Sequence, residues 1–233
     1  MVESIRMRFS WVVLSACTAS SPVEPTPDAP VEQPWATYRI APGDHTATVD
    51  RLELGSPIDG VTDVVGRDYE LALDASASYL LTAPTQPEDQ YDWNKLPGLS
   101  DCGGVDLAED GAMFGWRWRV DVEPNVLEIT AYANNASVHL TFGNDLPLVT
   151  LDADDLAAEA PLRYRIAREQ TRYVFQISGE VRARGVAATA TLPRRCSEMP
   201  VAPLAWAGAF YFGGTSVAPQ QITAKIRERS YEN

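Results

Sequence analysis

The 233-residue sequence has only two histidines and three cysteines, and its basic residues are outnumbered. His45 and His139 are too few for a histidine-rich metal centre. Nineteen lysines and arginines against 32 acidic residues give a formal net charge of −13. This balance argues against a nucleic-acid-binding protein, because phosphates require a basic surface. After the first 17 residues, no apolar run approaches the roughly 20 residues that a membrane-spanning helix needs.

The N-terminus has the pattern of a bacterial export signal. Arg6 and Arg8 precede a short apolar stretch, and the run Leu14-Ser15-Ala16-Cys17 resembles a lipoprotein cleavage site. We therefore predict a signal peptide over residues 1–16, a lipid on Cys17 and a Pro-rich acidic tether over 17–36. The expected location is the bacterial cell envelope, periplasmic or at the cell surface, with the lipid held in a membrane. A non-cleaved, disordered N-terminus is the alternative.

Once Cys17 is assigned to a lipid, Cys102 and Cys196 are the two cysteines left. In an oxidising envelope two such thiols are expected to form a disulfide bond. Closing so long a loop would stabilise the fold by roughly 4–5 kcal/mol in the chain-entropy account. Two unrelated buried thiols are the alternative.

Short runs of alternating apolar and polar residues dominate from Trp35 onward, broken by Gly, Pro, Asn and Asp. Such evenly spaced runs predict an all-β protein, a single jelly-roll β-sandwich over residues 37–229 with a short tail at 230–233. One helical turn is expected within 155–160. The candidate strands are 47–54, 68–73, 78–83, 112–120, 126–134, 137–142, 162–167, 172–178, 186–192, 207–212 and 221–227.

The clearest pair of strands is 112–120 and 126–134, joined by a turn that contains Pro124 and Asn125. Side chains alternate between the two faces of a strand, so Trp116 and Trp118 are expected in the core with Phe114. The opposite face should be polar and should carry Arg117, Arg119, Glu128, Thr130, Tyr132 and Asn134.

This polar face has two interpretations. Its charged residues can form cross-strand ion pairs on an ordinary exposed sheet. Alternatively they line a water-filled groove that binds a ligand. Trp93 lies in a polar loop between Asp92 and Asn94, and its ring is expected to be exposed beside this groove.

A series of motifs in fixed order extends from Lys95 to Tyr132. It consists of Lys95-Leu96-Pro97-Gly98-Leu99, then Cys102-Gly103-Gly104, then the aromatic Trp-Arg strand, then Glu128-x-x-x-Tyr132. The series resembles the jelly-roll, concanavalin-like polysaccharide lyases of families fourteen and twenty, which include alginate and glucuronan lyases. The later segment Tyr211-Phe212-Gly213-Gly214 is similar to the closing segment of uncharacterised secreted bacterial proteins.

The resemblance implies a site for β-elimination from a uronate polymer, which needs a neutralised carboxylate, a base and an acid. Lys95 matches the family's lysine and Tyr132 its first tyrosine, so these two are the candidate catalytic residues. Gly111 and Met113 stand in place of a Ser-x-Arg pair, and Asn134 stands in place of a second tyrosine. Arg117 is on the same face but about 13 Å away from the required position. Such losses predict slow chemistry or none.

The prediction that best fits these observations is a monomeric, envelope-anchored lipoprotein that binds a polysaccharide or oligosaccharide through a degenerate lyase-like site. Its expected ligand-binding residues are Trp93, Asn94, Arg117, Arg119, Glu128, Thr130 and Asn134. A weak or altered polysaccharide lyase is one alternative. A structural or assembly lipoprotein is the other, and it would carry an exposed apolar patch.

Two electrostatic expectations complete the prediction. Asp92 and Asp101 lie close to Lys95 in sequence and are expected to keep the pKa of its amine high. No cofactor is expected: the carboxylates of Asp152-Ala153-Asp154-Asp155 could hold calcium, but the run lacks the glycine and the distal glutamate of an EF-hand loop. A solvated acidic turn is favoured there.

Overall fold

The structure is a computed structural model, and it describes residues 33–50, 59–62, 65–196, 204–208 and 210–232. Within these ranges, side chains are described except at 59–62, 204–208 and 230–232. The predicted signal peptide, the lipidated Cys17 and most of the tether lie outside the described residues.

Extended chain dominates the described residues. The strands are β1 (Ala36–Ile40), β2 (Ala47–Val49), β3 (Asp59–Thr62), β4 (Gly66–Leu73), β5 (Asn94–Lys95), β6 (Gly98–Ser100), β7 (Asp110–Arg119), β8 (Val126–Asn135), β9 (Val138–Thr141), β10 (Val149–Asp152), β11 (Leu162–Arg168), β12 (Arg172–Val181), β13 (Arg184–Pro193), β14 (Leu204–Gly208) and β15 (Ile222–Glu232). Helical segments are two 3₁₀ turns, Ala75–Ala77 and Pro87–Tyr91, and one short helix, α1 (Ala153–Ala157). None of the helices in the described part of the chain has the length and apolar character needed to cross a bilayer.

These strands form two antiparallel sheets. Among the described residues, the first sheet has the order β13-β12-β11-β4-β15-β1-β2. The second has the order β10-β8-β7-β6-β14-β3, with β5 also paired to β7 and β9 to β8. Neighbours in space are often distant in sequence, as with β4 and β15, which is typical of jelly-roll topology. The fold is an all-β jelly-roll sandwich, as predicted.

Aromatic side chains from both sheets fill the space between them. The Phe114 ring of β7 lies 5.2 Å from the Tyr164 ring of β11 and 5.3 Å from the Phe175 ring of β12, both edge to face. Trp116 is fully buried and stacks on Phe210. Trp118 is buried in the same core, so the expectation that both indoles point inward is confirmed. Burial of such large rings is the main source of stability in a sandwich.

Three local expectations need correction. Residues 78–83 are not a strand: the amide of Leu81 donates to the side chain of Gln90, at 2.7 Å, rather than to a neighbouring strand. The tail expected at 230–233 belongs to β15 as far as Glu232. The helical turn begins earlier than expected, at Ala153, because the carboxylate of Asp152 accepts a hydrogen bond from the amide of Asp155 and caps it.

The predicted disulfide between Cys102 and Cys196 is present, with the two Cα atoms 5.5 Å apart. Beside it lies a fully buried ionic cluster. The carboxylate of Asp101 accepts hydrogen bonds from Arg194, at 2.9 Å, and from the Tyr173 hydroxyl, also at 2.9 Å. The disulfide and this cluster together join the segment after β6 to the segment after β13.

Candidate functional site

The hairpin of β7 and β8 has the register that the alternation predicted. Arg117 pairs with Glu128, Gly115 with Thr130 and Met113 with Tyr132. Directly opposed residues in an antiparallel pair point to the same face, so these side chains share the outer face of the second sheet. The sequence therefore placed the polar face correctly.

The groove expected over Arg117 is absent, because this part of the face is covered and ion-paired. Arg117 Nε donates to Glu128 at 2.8 Å, and Nη1 donates to the carboxylate of Asp145, at 2.8 Å, and to the carbonyl of Tyr91, at 3.1 Å. Arg117 is 4% exposed and Glu128 7%. The prediction of an open, water-filled trough at these two residues is wrong.

The Trp93 ring covers Arg117, and the expectation of an exposed Trp93 ring is also wrong. The guanidinium of Arg117 lies 3.9 Å from the centroid of its ring, and its indole N–H donates to Asp145. The space for the indole comes from Gly115, where an added Cβ would lie 3.2 Å from two atoms of Trp93. A polar loop could bury its tryptophan only because the facing strand has no side chain at that position.

The other ligand-binding candidates near Arg117 also have partners within the protein. Arg119 pairs with Asp121, at 2.7 Å, and with Glu128, at 3.1 Å. Thr130 is fully buried and donates to the carbonyl of Leu146 at 2.8 Å. Of the two interpretations of the polar face, cross-strand ion pairing therefore describes this half.

Asn94 has a structural role. It is almost fully buried; its amide nitrogen donates to the Tyr79 hydroxyl at 3.0 Å, and its oxygen accepts from the amide of Gly213 at 2.7 Å. Both contacts tie β5 to the core and to the segment before β15. Asn94 thus holds Lys95 in place and offers no group to a ligand.

Lys95 and Tyr132 lie side by side on the half of the face that is not ion-paired. The ammonium nitrogen of Lys95 is 4.0 Å from the centroid of the Tyr132 ring and donates to the carbonyl of Trp93. The pairing of β5 positions Lys95 for this contact. Lys95 is opposite Gly115 on β7, and β7 in turn pairs with β8, which carries Tyr132. The structure therefore brings together the two candidate catalytic residues that the resemblance indicated.

Burial controls the charge of both groups. Desolvation lowers the pKa of Lys95 to about 8, against the opposing effect of the Asp92 carboxylate. The expectation that neighbouring carboxylates would keep this pKa high is wrong, because Asp101 is occupied in its own cluster and Asp92 has the smaller effect. Desolvation, followed by the Asp92 charge, raises the pKa of Tyr132, so its phenol stays protonated. Within the described residues, no group hydrogen-bonds the Tyr132 hydroxyl.

His139 is a third member of this group, and sequence reasoning missed it. It pairs with Asn134 across β8 and β9, and its ring centroid lies 5.7 Å from that of Tyr132. His139 Nδ1 is 2.6 Å from the Asn134 side-chain oxygen, while the Asn134 nitrogen donates to the carbonyl of Leu107. Asn134 therefore orients the histidine. Continuing the strand alternation through the turn into 138–141 would have predicted this position. We call Lys95, Tyr132 and His139 the Lys95 cluster.

Met113 stands where the resemblance to the lyases places the arginine of the Ser-x-Arg pair. Its side chain is buried and packs with Trp93 and Tyr132, with Leu107 against them. The position that would carry a charged side chain in the resembling lyases is apolar here. It supports the Tyr132 ring and cannot neutralise a carboxylate.

Candidate metal ligands have other partners. The carboxylates of Asp152 and Asp155 pair with Arg182 and Arg184, respectively. In the described chain, the group of ligand types Cys102, Asp110 and Cys196 lies close together, but both sulfurs are in the disulfide and Asp110 pairs with Arg195. A surface cavity of about 410 Å³ lies beside the acidic turn, lined by Pro124, Val126, Thr150, Asp152, Asp155, Arg182 and Arg184.

The similarity of this chain to known proteins is limited to the fold. No family model matches the sequence, and no curated protein does. The chain resembles alginate lyases in fold. Alginate lyase vAL-1 from a Chlorella virus is 8% identical, with 82% of this chain and 81% of that one covered and a TM-score of 0.42. The alginate lyase from Klebsiella pneumoniae is 12% identical, with 75% of this chain and 60% of that one covered and a TM-score of 0.44.

A legume lectin-like domain from Entamoeba histolytica is similar as well, at 13% identity over 85% of this chain and 90% of that one, with a TM-score of 0.37. Likenesses of this size concern the arrangement of strands and assign no activity. The chemistry of the site is therefore argued from its own residues.

Proposed function

We propose that this domain binds a carbohydrate chain on the outer face of the second sheet, at the Lys95 cluster. The observation that carries the proposal is the contact between the Lys95 ammonium and the Tyr132 ring, 4.0 Å apart, next to a phenol hydroxyl that has no hydrogen-bond partner among the described residues. Carbohydrate recognition combines an apolar ring surface with hydrogen-bonding groups at its edge. The Tyr132 ring is 5% exposed and lies under the Lys95 ammonium, so Tyr132 would offer its hydroxyl and not its ring face. Lys95 and His139 add two more polar groups on the same face.

Charge distribution favours binding over efficient catalysis. Arg117 and Arg119 both hold carboxylates of the protein itself, and Met113 is apolar. Among the described side chains of this face, Lys95 and His139 are the groups left to meet a substrate carboxylate. A β-elimination enzyme must stabilise the charge that develops on that carboxylate, and loss of such a group slows reactions by orders of magnitude.

The test is affinity electrophoresis in gels containing alginate, glucuronan, pectate or a neutral glucan. Tyr132→Phe keeps the ring and removes the hydroxyl, so retardation by the bound polysaccharide should weaken by about tenfold. Tyr38→Phe, in the first sheet, is the matched control and should bind as the parent does. Folded protein that is retarded by none of the four polymers would contradict the proposal.

Weak polysaccharide lyase activity is the second candidate, and the pKa of Lys95 favours it. A lysine with a pKa of about 8 can accept a proton near neutral pH. The raised pKa of Tyr132 keeps its phenol protonated but makes it a weak acid, which is consistent with slow chemistry. The unsaturated uronate product absorbs in the ultraviolet, so prolonged incubation with alginate, glucuronan and pectate tests this directly. Lys95→Arg keeps a charge that cannot be lost and should abolish any activity; turnover equal to that of the parent would exclude Lys95 as the base.

We further propose that the domain is held at a bacterial envelope by a lipid on Cys17. The run Leu14-Ser15-Ala16-Cys17 supports this, as does the disulfide, since such bonds persist in oxidising compartments. Expression in a bacterium with labelled fatty acid should label the parent and leave Cys17→Ser unlabelled. A Cys17→Ser variant that takes up label equally would contradict the anchor.

A further inference from the structure

We propose that Tyr211, supported by His45, is a second contact site for the same carbohydrate chain, where a sugar ring stacks on the phenol ring. This inference rests on the proposed function and extends it, because it makes the ligand an oligosaccharide that crosses the strands of the sheet. Tyr211 lies outside the Lys95 cluster, and none of the roles described above uses its side chain.

Tyr211 is on the same face as Lys95, one strand position away. The two residues exchange both backbone hydrogen bonds, at 2.8 and 2.9 Å, so they form a directly opposed antiparallel pair. Side chains of such a pair point to the same side of a sheet. The next residue, Phe212, is buried in the core and so fixes Tyr211 on the outer side.

The Tyr211 ring is exposed and held in place. Tyr211 is 37% exposed, whereas Trp93 and Tyr132 on the same face are buried. Its ring stacks on that of His45, with centroids 5.5 Å apart and planes 13° from parallel. His45 Nδ1 is in turn 2.8 Å from the carbonyl of Phe212. One ring face of Tyr211 is thus backed by the imidazole of His45 while part of the residue is open to solvent, and a supported, partly exposed ring of this kind can act as a stacking platform.

The distance between the two sites sets the length of the ligand. The backbone steps from Tyr132 on β8 to β7, to β5 and to Tyr211 cover three strand spacings, roughly 14 Å. A single sugar ring cannot contact Tyr132 and Tyr211 together, whereas a chain of several rings can. Tyr211 should therefore contribute to the binding of long oligosaccharides and not to that of short ones.

Calorimetric titration of the full chain with di- and hexasaccharides of alginate, glucuronan and cellulose tests the inference. Tyr211→Ala should weaken binding of the hexasaccharide that the parent binds by about five- to tenfold. Binding of the matching disaccharide, if the parent binds it, should not change. Tyr211→Phe keeps the ring and should bind as the parent does. Lys225→Ala, which removes an exposed side chain of the first sheet, is the control and should have no effect.

The outcomes separate the two proposals. A Tyr211→Ala protein that binds the hexasaccharide as tightly as the parent overturns the second site and leaves the Lys95 cluster intact. Equal loss for the short and the long ligand overturns it too, because the change would then act at the cluster itself. A folded parent that binds none of the hexasaccharides contradicts both proposals. His45→Ala should give a smaller loss than Tyr211→Ala, restricted to the long ligand.

Discussion

The guanidinium carbon of Arg117 lies 3.9 Å from the centroid of the Trp93 ring, and the two side chains are buried against each other. A stacked, desolvated cation of this kind is attracted by the ring and is also held by its ion pairs. The pair closes the half of the outer face where an open groove was expected. Any ligand is therefore directed to the other half, where Lys95 and Tyr132 meet.

The first prediction concerns the pair of Arg117 and Glu128. Arg117→Met should lower the free energy of unfolding by about 3 kcal/mol, because it leaves the buried carboxylate of Glu128 with Arg119 alone. Removing both charges, in Arg117→Met with Glu128→Leu, should recover most of that loss. Urea denaturation measures each variant.

The control for this cycle is Lys225→Met, which breaks an exposed pair with Glu159 and should leave stability nearly unchanged. A double variant no more stable than Arg117→Met alone would mean that the buried charges do not act as a pair.

The second prediction concerns the space beneath the Trp93 indole. Gly115→Val should destabilise the fold by about 2 kcal/mol, because the new atoms would meet Trp93 and the Thr130 methyl group, each already 3.2 Å from an added Cβ. It should also increase the accessibility of the indole to a fluorescence quencher. Gly185→Val is the matched control, since an added Cβ there meets nothing within 4 Å. Unchanged quenching in a destabilised Gly115→Val protein would show that Trp93 is not what the glycine accommodates.

The three tryptophans on or beside β7 show which side-chain positions the sequence alone can predict. Trp116 and Trp118 were predicted inside because strand alternation is local and the apolar residues on their face repeat at every second position. Trp93 was predicted outside because its burial depends on Gly115, a residue on a strand whose pairing with β5 is set by the whole sheet. Local patterns carry no information on which strand faces a given loop.

The same distinction separates the site residues. Lys95 and Tyr132 were found through the order of motifs in the resembling lyases and through the alternation of the hairpin. Asp145, which pairs with both Arg117 and Trp93, lies in a turn after β9 and has no distinguishing sequence pattern. His139 could have been found, since it is placed opposite Asn134 by a two-residue turn.

The third prediction is a pH dependence at Lys95. The pKa of its amine is about 8 in the folded protein and that of a free lysine is about 10.4, so between these values the unfolded chain binds more protons. The free energy of unfolding therefore rises as the pH increases from about 8 to about 10.4. Below about pH 8 the amine is charged in the folded protein, and the full cost of burying that charge is present. Lys95→Met removes that cost and should raise the free energy of unfolding at pH 7 by about 1 kcal/mol, after allowance for partial exposure.

This advantage of Lys95→Met over the parent should shrink as the pH rises from 8 towards 10, which urea denaturation at a series of pH values will show. Lys225→Met, at an exposed lysine, should show no such narrowing. An advantage of constant size at every pH would mean that the amine of Lys95 is not desolvated.

The fourth prediction concerns the buried carboxylate of Asp101, beside the disulfide. Desolvation alone would raise its pKa, but the hydrogen bonds and charge of Arg194, with the Cys102 amide and the Tyr173 hydroxyl, outweigh that effect and hold the pKa below its usual range. A lowered pKa means that this carboxylate stabilises the fold above its unfolded value of about 3.9, and that the contribution is lost as the pH falls through the folded value. Asp101→Asn should cost about 3–5 kcal/mol at pH 7, since it leaves the buried guanidinium groups of Arg168 and Arg194 without their carboxylate.

Thermal unfolding followed from pH 7 down to pH 3 distinguishes this from a packing defect. The parent should lose its advantage over Asp101→Asn only below about pH 4, where the unfolded carboxyl becomes protonated. Asp50→Asn, which breaks an exposed pair with Arg39, should follow the parent throughout. If the gap between the parent and Asp101→Asn stays constant down to pH 3, the charge of Asp101 is not what holds the segments after β6 and β13 together. The connection between these two segments would then be attributed to the Cys102–Cys196 disulfide.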